Sequence, residues 1–394
     1  MIYTFSDCAL DPQRQELRRA GDPVPVEPQV LSLLIFLIEN RDRVVSKDDV
    51  FETVWDGRIV SDATLGSRIS AARAAVGDSG DAQRVIRTLP RRGFRFVADV
   101  AIEEPPISGE TSAAAQTVQT TRYCSAPDGT QLAYSMAGEG APLVKVANWL
   151  NHLEFDWTSP VWSYLFHEFA SYRSLVRYDS RGVGLSDREV EEISFASMAS
   201  DLETIIDKSN LPPFALLGIS LGAAIAIDYA VRYPERVTHL VLWGGFARGR
   251  RRRGSDEEIA RSDAFTTLMR QGWGKETSTF RQMFASLYLP DATDEQIQWW
   301  TDLQRVATSP ENAVRLREVI DDLDVSGLLE QVQIPTLILH SEREEVAPFS
   351  EARFMASRIP DAHFVSLDSA NHLVLHQEAA WRRAMDEIRT FLAG

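Results

Sequence analysis

The chain has 394 residues, 44% of them apolar and 25% charged, an ordinary globular composition that excludes a disordered, collagenous or disulfide-built protein. Its longest strongly apolar stretch, Val30 to Ile38, is about half the ~20 residues of a membrane-spanning helix, and Met1 to Gln15 carry two aspartates and a proline where a secretory leader has a basic start and an apolar run. Two distant cysteines, Cys8 and Cys124, offer neither a disulfide framework nor a metal-type spacing, so with a net charge of −16 the expectation is an acidic, soluble, cytoplasmic protein with no membrane partner.

Short alternating stretches at Tyr3 to Phe5, Leu17 to Arg19 and Val24 to Val26 predict a small antiparallel sheet. The pattern then turns helical. Gln29 to Asn40 reads as a buried helix, and Ser46 to Trp55 as a second one, with Ser46 as N-cap and Asp49 three residues on. A third helix starts at Ser61, places Leu65, Ile69, Ala72 and Val76 on one face, turns Thr64, Ser67, Arg68 and Ala71 outward, and ends at Gly77. RVIRTLPRRGFRFVADV follows, two strand-like runs joined by Pro90-Arg91-Arg92-Gly93 as a basic hairpin.

Charge divides unevenly along the chain. Residues 1–100 hold 14 basic and 15 acidic side chains, a net of −1, and the remainder 27 and 42, a net of −15. Within the first part, residues 58–95 carry eight arginines against three aspartates, a local +5 suited to a polyanion. Because 37 of the 41 basic residues are arginine, count alone says little and position must decide.

Three helices followed by a basic hairpin is the order of a winged helix. Phe5 to Val100, with "LIENRDRVVSKDDVFETVWDG", "VSDATLGSRISAARAAVGD" and "IRTLPRRGFRFVADV", resembles the winged-helix output domain of OmpR-type response regulators. The resemblance implies that Asp62 to Val76 enters the major groove of duplex DNA and that the hairpin around Arg91 and Arg92 grips the adjacent minor groove or its phosphates. Thr64, Ser67, Arg68, Arg73, Arg91 and Arg92 are the DNA-contact candidates, with Arg73 suited to a base edge or a phosphate. Such regulators commonly pair as homodimers on two half-sites. In these 394 residues no receiver domain is expected beside it.

Ala101 to Thr121 has adjacent prolines, many Ser, Thr and Ala residues and no hydrophobic period, which is linker composition. The expected domains are 1–100, a linker at 101–121, and 122–394.

From Leu143 on, apolar runs (LVKVA, SLVRYD, FALLG, HLVLWG, TLILH, HFVSL) alternate with amphipathic segments, the signature of a parallel α/β sheet. The third run ends in Gly218-Ile219-Ser220-Leu221-Gly222 and leads into an Ala-rich helix. A lone G-x-S-x-G is weak, but here strand, turn and helix come in the required order. Presenting a serine hydroxyl above a sheet needs a tight turn and small flanking residues, and activating it needs a histidine and an orienting acid. His372 follows the last predicted strand and Glu344 the one before it, with Glu345 adjacent, so the inward-facing carboxylate stays open.

These features resemble the α/β-hydrolase superfamily across nearly all of 122–394, including YDSRGVGLSD and "ALLGISLGAAIAIDYAVRYPERVTHLVLWGG"; "PLVKVANWLNHLEFDWTSPVW" with "SANHLVLH" is similar to hydrolase-like domains fused to bacterial regulatory modules. The resemblance implies Ser220 as nucleophile, His372 as base and Glu344 as acid, with the backbone N–H groups of Trp149 and Leu221 as oxyanion hole. The chain departs from the family in having Glu for the usual Asp and Ala147-Asn148-Trp149-Leu150 for the usual His-Gly. His152 and His340 read as structural, the latter as turn chemistry. The stretch at about 247–330 is expected to be a helical cap whose Trp273, Phe280, Phe284, Trp299 and Trp300 line an apolar pocket, with Arg248 to Arg253 as a solvated hinge or added DNA grip.

The expected architecture is a multidomain chain, a winged helix-turn-helix (α+β) followed by an α/β-hydrolase fold with a mostly parallel sheet. Neither cofactor nor metal is called for. Two functions compete: a one-component transcriptional regulator that binds DNA and senses, and in one version hydrolyses, a small apolar or acyl-bearing ligand; and a serine esterase or acyl hydrolase with a Ser-His-Glu triad whose turnover is the main activity.

Overall fold

The computed structural model describes residues 2–393 except 12–15, 25, 27, 55–61, 90–91, 104–117 and 274–277. Two units separate, Met1–Ser112 and Ala113–Gly394.

In the first unit, β1 (Ile2–Phe5), β2 (Cys8–Asp11), β3 (Glu16–Arg19) and β4 (Asp22–Val24) form an antiparallel sheet. Buried Cys8 and Leu10 alternate with half-exposed Ala9 and Asp11, so one face of the sheet meets the core. Then come α1 (Pro28–Glu39), α2 (Lys47–Val54) and α3 (Asp62–Ala75). Helix α1 buries Val30, Leu31, Leu33, Leu34, Leu37 and Ile38. A reciprocal cap starts α2: the Asp49 N–H donates to Ser46 Oγ at 3.1 Å and the Ser46 N–H to Asp49 Oδ2 at 2.9 Å. Leu65, Ile69, Ala72 and Val76 all lie in the core, as their spacing predicts. The expected N-cap Ser61 and the expected helix end Trp55 lie outside the described residues.

The hairpin forms from β5 (Ile86–Leu89) and β6 (Gly93–Phe96). Paired backbone hydrogen bonds of 2.8 Å between Phe94 and Val45 hold it to the segment before α2. Gly93 has φ +126, and a Cβ there would sit 1.9 Å from the Val45 carbonyl oxygen, so the close approach needs glycine.

The expected linker is shorter at both ends. Ala101–Glu103 is β7, pairing with β1, and Thr120–Ser125 is β8, the first strand of the second unit. Three residues are too few to show a period of two, which hides β7 in the sequence. Of the predicted linker, 104–117 lies outside the described residues.

The second unit continues with β9 (Gln131–Ala137), β10 (Pro142–Lys145), α4 (Leu153–Trp157), α5 (Ser163–Ala170), β11 (Ser174–Tyr178), α6 (Phe195–Ser209), β12 (Phe214–Ile219), α7 (Leu221–Arg232) and β13 (Val237–Trp243). Helices α8 (Arg250–Arg253), α9 (Asp256–Gly272), α10 (Ser278–Tyr288), α11 (Asp294–Ala307) and α12 (Pro310–Asp322) make up the expected cap. After them come β14 (Thr336–Ser341), α13 (Phe349–Arg358), β15 (His363–Leu367) and α14 (Ala379–Ala393). The sheet order is β15-β14-β13-β12-β10-β11-β9-β8, parallel from β11 to β15 and antiparallel at β9 and β8. Beyond β10 the chain crosses one way to β11 and then back to β12. Such a reversal opens a crevice at the carboxyl ends of the strands.

The loop after β11 anchors the cap. Asp179 Oδ2 accepts the N–H groups of Leu185 (2.8 Å) and Leu153 (3.1 Å), Arg181 forks onto Asp201 at 2.8 and 2.6 Å, and Thr308 Oγ1 donates to Gly182 O at 2.6 Å. No helix among the described residues is long and apolar enough to cross a membrane.

Gly93→Ala is expected to loosen the first unit, because it adds backbone strain of about 1–3 kcal/mol and a clash with Val45. Hydrogen exchange on the full chain should show faster exchange in β6 and α3 with β10 to β15 unchanged.

Candidate active site and candidate nucleic-acid interface

Ser220 follows β12 directly, at φ 55 and ψ −124, a strained backbone for a residue with a Cβ. The flanking glycines make room for the turn: a Cβ on Gly218 would lie 2.6 Å from the Ala223 Cα, and one on Gly222 3.1 Å from the Ala147 carbonyl. The Ser220 N–H donates to Trp243 O at 3.0 Å, fastening the turn to the end of β13. Leu221 is the first residue of α7, so its N–H has no acceptor within the helix.

His372, 2% exposed, follows β15. It sits close to the serine turn across Gly244 and Gly245: a Cβ on Gly244 would be 3.3 Å from His372 Cε1, and one on Gly245 3.8 Å from the Ser220 carbonyl. Nδ1 of His372 hydrogen-bonds to Glu344 Oε2, while Nε2 is buried with no partner. A carboxylate on Nδ1 keeps the ring proton there and leaves Nε2 its lone pair.

Glu344 is the inward carboxylate; Glu345 is exposed. The other oxygen of Glu344 lies 2.6 Å from Nε2 of His340, which also faces Ala347 O at 2.9 Å. His340 therefore does more than shape a turn: it is the second imidazole on this carboxylate. Burial would push the Glu344 carboxyl up, but the charge of His372 and the hydrogen bond and charge of His340 outweigh it and hold it below its usual 4.5. Burial likewise opposes protonation of His340, and Glu344 overrides it, raising the imidazole above its usual 6.5.

The expected oxyanion loop is pinned from beneath. Lys145 Nζ donates to Asn148 Oδ1 and, at 3.3 Å, to Val146 O, and Asn148 Nδ2 donates to Leu150 O at 2.9 Å. Trp149 packs edge-on to Trp273 with ring centroids 5.7 Å apart, lies 5.4 Å from Phe284 and stacks on Tyr288 at 6.1 Å. This plug leaves a cavity of about 20 Å³ beside Ser220, room for about one water.

That cavity corrects two expectations. Trp273 and Phe284 are buried against each other, Trp300 is buried against Tyr288, and half-buried Trp299 stacks on Phe155, so they do not line an open apolar pocket; the side chain of Phe280 lies outside the described residues. The run Arg248 to Arg253 is not a solvated hinge, since Arg250 and Arg253 line the cavity with Ser220, Arg317 and Asp321. Arg251 is engaged by Asp263 and Asp322, and Arg248 by Glu351. His152 is structural, its Nδ1 accepting the Phe155 N–H at the start of α4.

In the first unit, Ser67 and Arg92 are exposed, Thr64 and Arg68 half-buried, and Arg91 lies outside the described residues. Arg73 corrects the expectation of a DNA contact. It is 7% exposed, and its guanidinium donates to Ile86 O (3.1 and 2.9 Å) and Thr88 Oγ1 (2.8 Å), clasping α3 to the hairpin. Lying four residues after Ile69, it falls on the apolar stripe, a signal present in the sequence. The exposed Ser70 was missed on the outward face.

Comparison with known proteins follows the same division. A family model described as alpha/beta hydrolase fold matches residues 157–379, and one described as transcriptional regulatory protein, C terminal, matches 21–96. Curated relatives include an AB hydrolase superfamily protein, YisY, of Bacillus subtilis, 28% identical over 257 residues (61% of this chain, 88% of that protein). Another is a pimeloyl-[acyl-carrier protein] methyl ester esterase of Nitrosomonas europaea, 25% identical over 240 residues (60% and 90%). Among solved structures, an esterase from Exiguobacterium antarcticum superposes with a TM-score of 0.58 at 22% identity, covering 69% of this chain and 99% of that one.

Glu344 and His340 set a pH window. Their contribution to stability is full between 4.5 and 6.5, falls as acid passes below the lowered Glu344 value, and falls as base passes the raised His340 value. In an NMR titration His340 should have its midpoint above 6.5, and Glu344→Gln should move it below, because burial and the charge of Arg253 then outweigh the remaining hydrogen bond to Ala347 O.

Proposed function

Since the chain belongs to the α/β-hydrolase fold family and carries a transcriptional-regulator winged-helix domain ahead of that fold, we propose that it is a DNA-binding regulator whose second unit takes up and hydrolyses a small acyl or ester ligand. One observation carries the hydrolytic half: Ser220 stands in a strained turn near a histidine whose Nδ1 rests on a buried carboxylate and whose Nε2 is left unpartnered. Ser220 Oγ attacks the ester carbonyl as His372 Nε2 takes its proton. The N–H groups of Trp149 and Leu221 stabilise the oxyanion. His372 then hands the proton to the departing alkoxide, which leaves as the alcohol, and an acyl-serine remains. Water attacks that ester, giving its proton to His372, and the carboxylic acid departs as Ser220 is reprotonated. Glu344 stabilises the imidazolium, and His340 holds Glu344 from behind.

The small cavity supports sensing as well as turnover. A ligand larger than a water would have to displace part of the lining, Trp149 included, and a regulator requires such a pair of arrangements with different ligand affinity. On the DNA side, exposed Ser67 and Arg92 are the described candidates for direct contact, with Thr64 and Arg68 beside them on α3.

A fluorophosphonate should label the folded protein at Ser220, with labelling abolished in Ser220→Ala and reduced by about 10²-fold or more in His372→Gln; absence of labelling in the wild type would leave the second unit a receptor without turnover. Binding of the full chain to duplex DNA should weaken steeply with salt, and Arg92→Ala should lower the slope of log K against log[salt] by about 1.

A further inference from the structure

The cap turns a charged face to Ser220. Arg250, Arg253 and Arg317 line the cavity beside the serine, with Asp321 as the one carboxylate among its lining residues. Arg317 is committed to Asp321, its Nε lying 3.1 Å from Oδ2, which Ser262 Oγ also approaches at 2.8 Å. Arg250 and Arg253 have no carboxylate partner among the described residues. Arg250 donates to Val346 O at 3.1 Å and Arg253 to Arg248 O at 2.5 Å, both neutral acceptors.

The other nearby acids are engaged elsewhere. Glu351 Oε1 pairs with Arg248 at 2.5 Å, and Glu258 Oε2 caps α9 through the Ser255 N–H at 2.9 Å. Asp321 Oδ1 and Glu351 Oε2 are buried and unpartnered, and neither pairs with Arg250 or Arg253. Burial, followed by the charge of Arg250, pulls Arg253 down to about 10, which leaves it protonated at neutral pH beside Arg250 on the same wall. A net charge of +2 on a wall this close to the serine is unfavourable in the empty site and complementary to an anion.

We propose that the ligand is itself an anion: an ester or acyl compound whose acyl part carries a carboxylate, seated on Arg250 and Arg253 while its carbonyl lies at Ser220. The planar fork of a guanidinium matches a carboxylate bidentately, which an apolar chain cannot do. This rests on the hydrolase-like reading of the site and narrows its substrate class from apolar acyl groups to carboxylated ones. Arg250 and Arg253 act in specificity, and the chemistry stays with Ser220.

The test uses the full-length Ser220→Ala protein and calorimetric binding of monomethyl glutarate against dimethyl glutarate, which differ only in the anionic end. The half-ester should bind at least tenfold more tightly, and Arg250→Gln and Arg253→Gln, each introduced into that protein, should each remove most of the difference. Arg250→Lys, which keeps the charge, should retain part of it. Hydrogen exchange of β12 and α7 shows whether each variant is folded; should one arginine variant unfold, the other and the salt dependence of half-ester binding decide. Equal binding of the two esters, or a preference that survives both substitutions, would overturn the proposal. Failure of the fluorophosphonate to label the wild type, with the half-ester still preferred, would remove the hydrolytic reading and leave the anion site standing.

Discussion

A carboxylate with its side chain wholly out of solvent stays ionised only if something compensates its lost hydration, and in this protein two imidazoles do so. Glu344 lies between His340 and His372, each contacting one oxygen. One imidazole continues toward the serine turn, and the other ends on the Ala347 carbonyl. Because the three residues come from β14, the loop after it and the loop after β15, the arrangement exists only when the parallel register of the last two strands is correct. The bonds from the Glu342 N–H to Leu367 O (2.9 Å) and the Arg343 N–H to Ser369 O (3.1 Å) carry that register beyond the sheet to the loop. An extra methylene relative to aspartate is accommodated because the longer side chain reaches both rings.

Above this buried pair the cap contributes charge as well as cover. Aromatic side chains fill the space over Trp149 and leave little volume, while two arginines of one four-residue helix stand beside the serine with no ion-pair partner among the described residues. The combination is costly for an empty site and favourable for one that holds a compact anion. On the proposed reading, a ligand entering there parts the aromatic plug and meets the arginines in the same cavity. In the first unit an arginine plays the opposite part. Arg73 spends its donors on Ile86 and Thr88, which ties the helix proposed to read DNA to the hairpin beside it.

Much of this was legible in the residues. The stripe Leu65, Ile69, Ala72 and Val76, the Ser46 and Asp49 cap, the alternation of apolar runs with amphipathic segments, and the glycine-flanked serine each depend on neighbours within a few positions, and each occurs as read. The errors fall where local pattern is silent or was incompletely applied. Arg73 was assigned outward by residue type although its spacing from Ile69 placed it inward. β7 is three residues long, shorter than the period that would announce it. The run Arg248 to Arg253 looks uniformly solvated as a string, yet α8 sends Arg251 to Asp263 and Asp322 while Arg250 and Arg253 line the cavity.

The amino-acid sequence by itself determined the two units and their classes, the serine and histidine of the candidate site, and the division of charge that leaves residues 1–100 near neutral and the remainder acidic. These follow from periodicity, capping, turn chemistry and composition, whose physical range is one or two turns of chain. Only the tertiary structure decided which of two adjacent glutamates faces inward, that His340 shares it, that Trp149 closes the pocket, and that two arginines face the serine. Those outcomes depend on residues brought together from distant strands and helices, where burial and the matching of charges select among side chains that local pattern leaves equivalent.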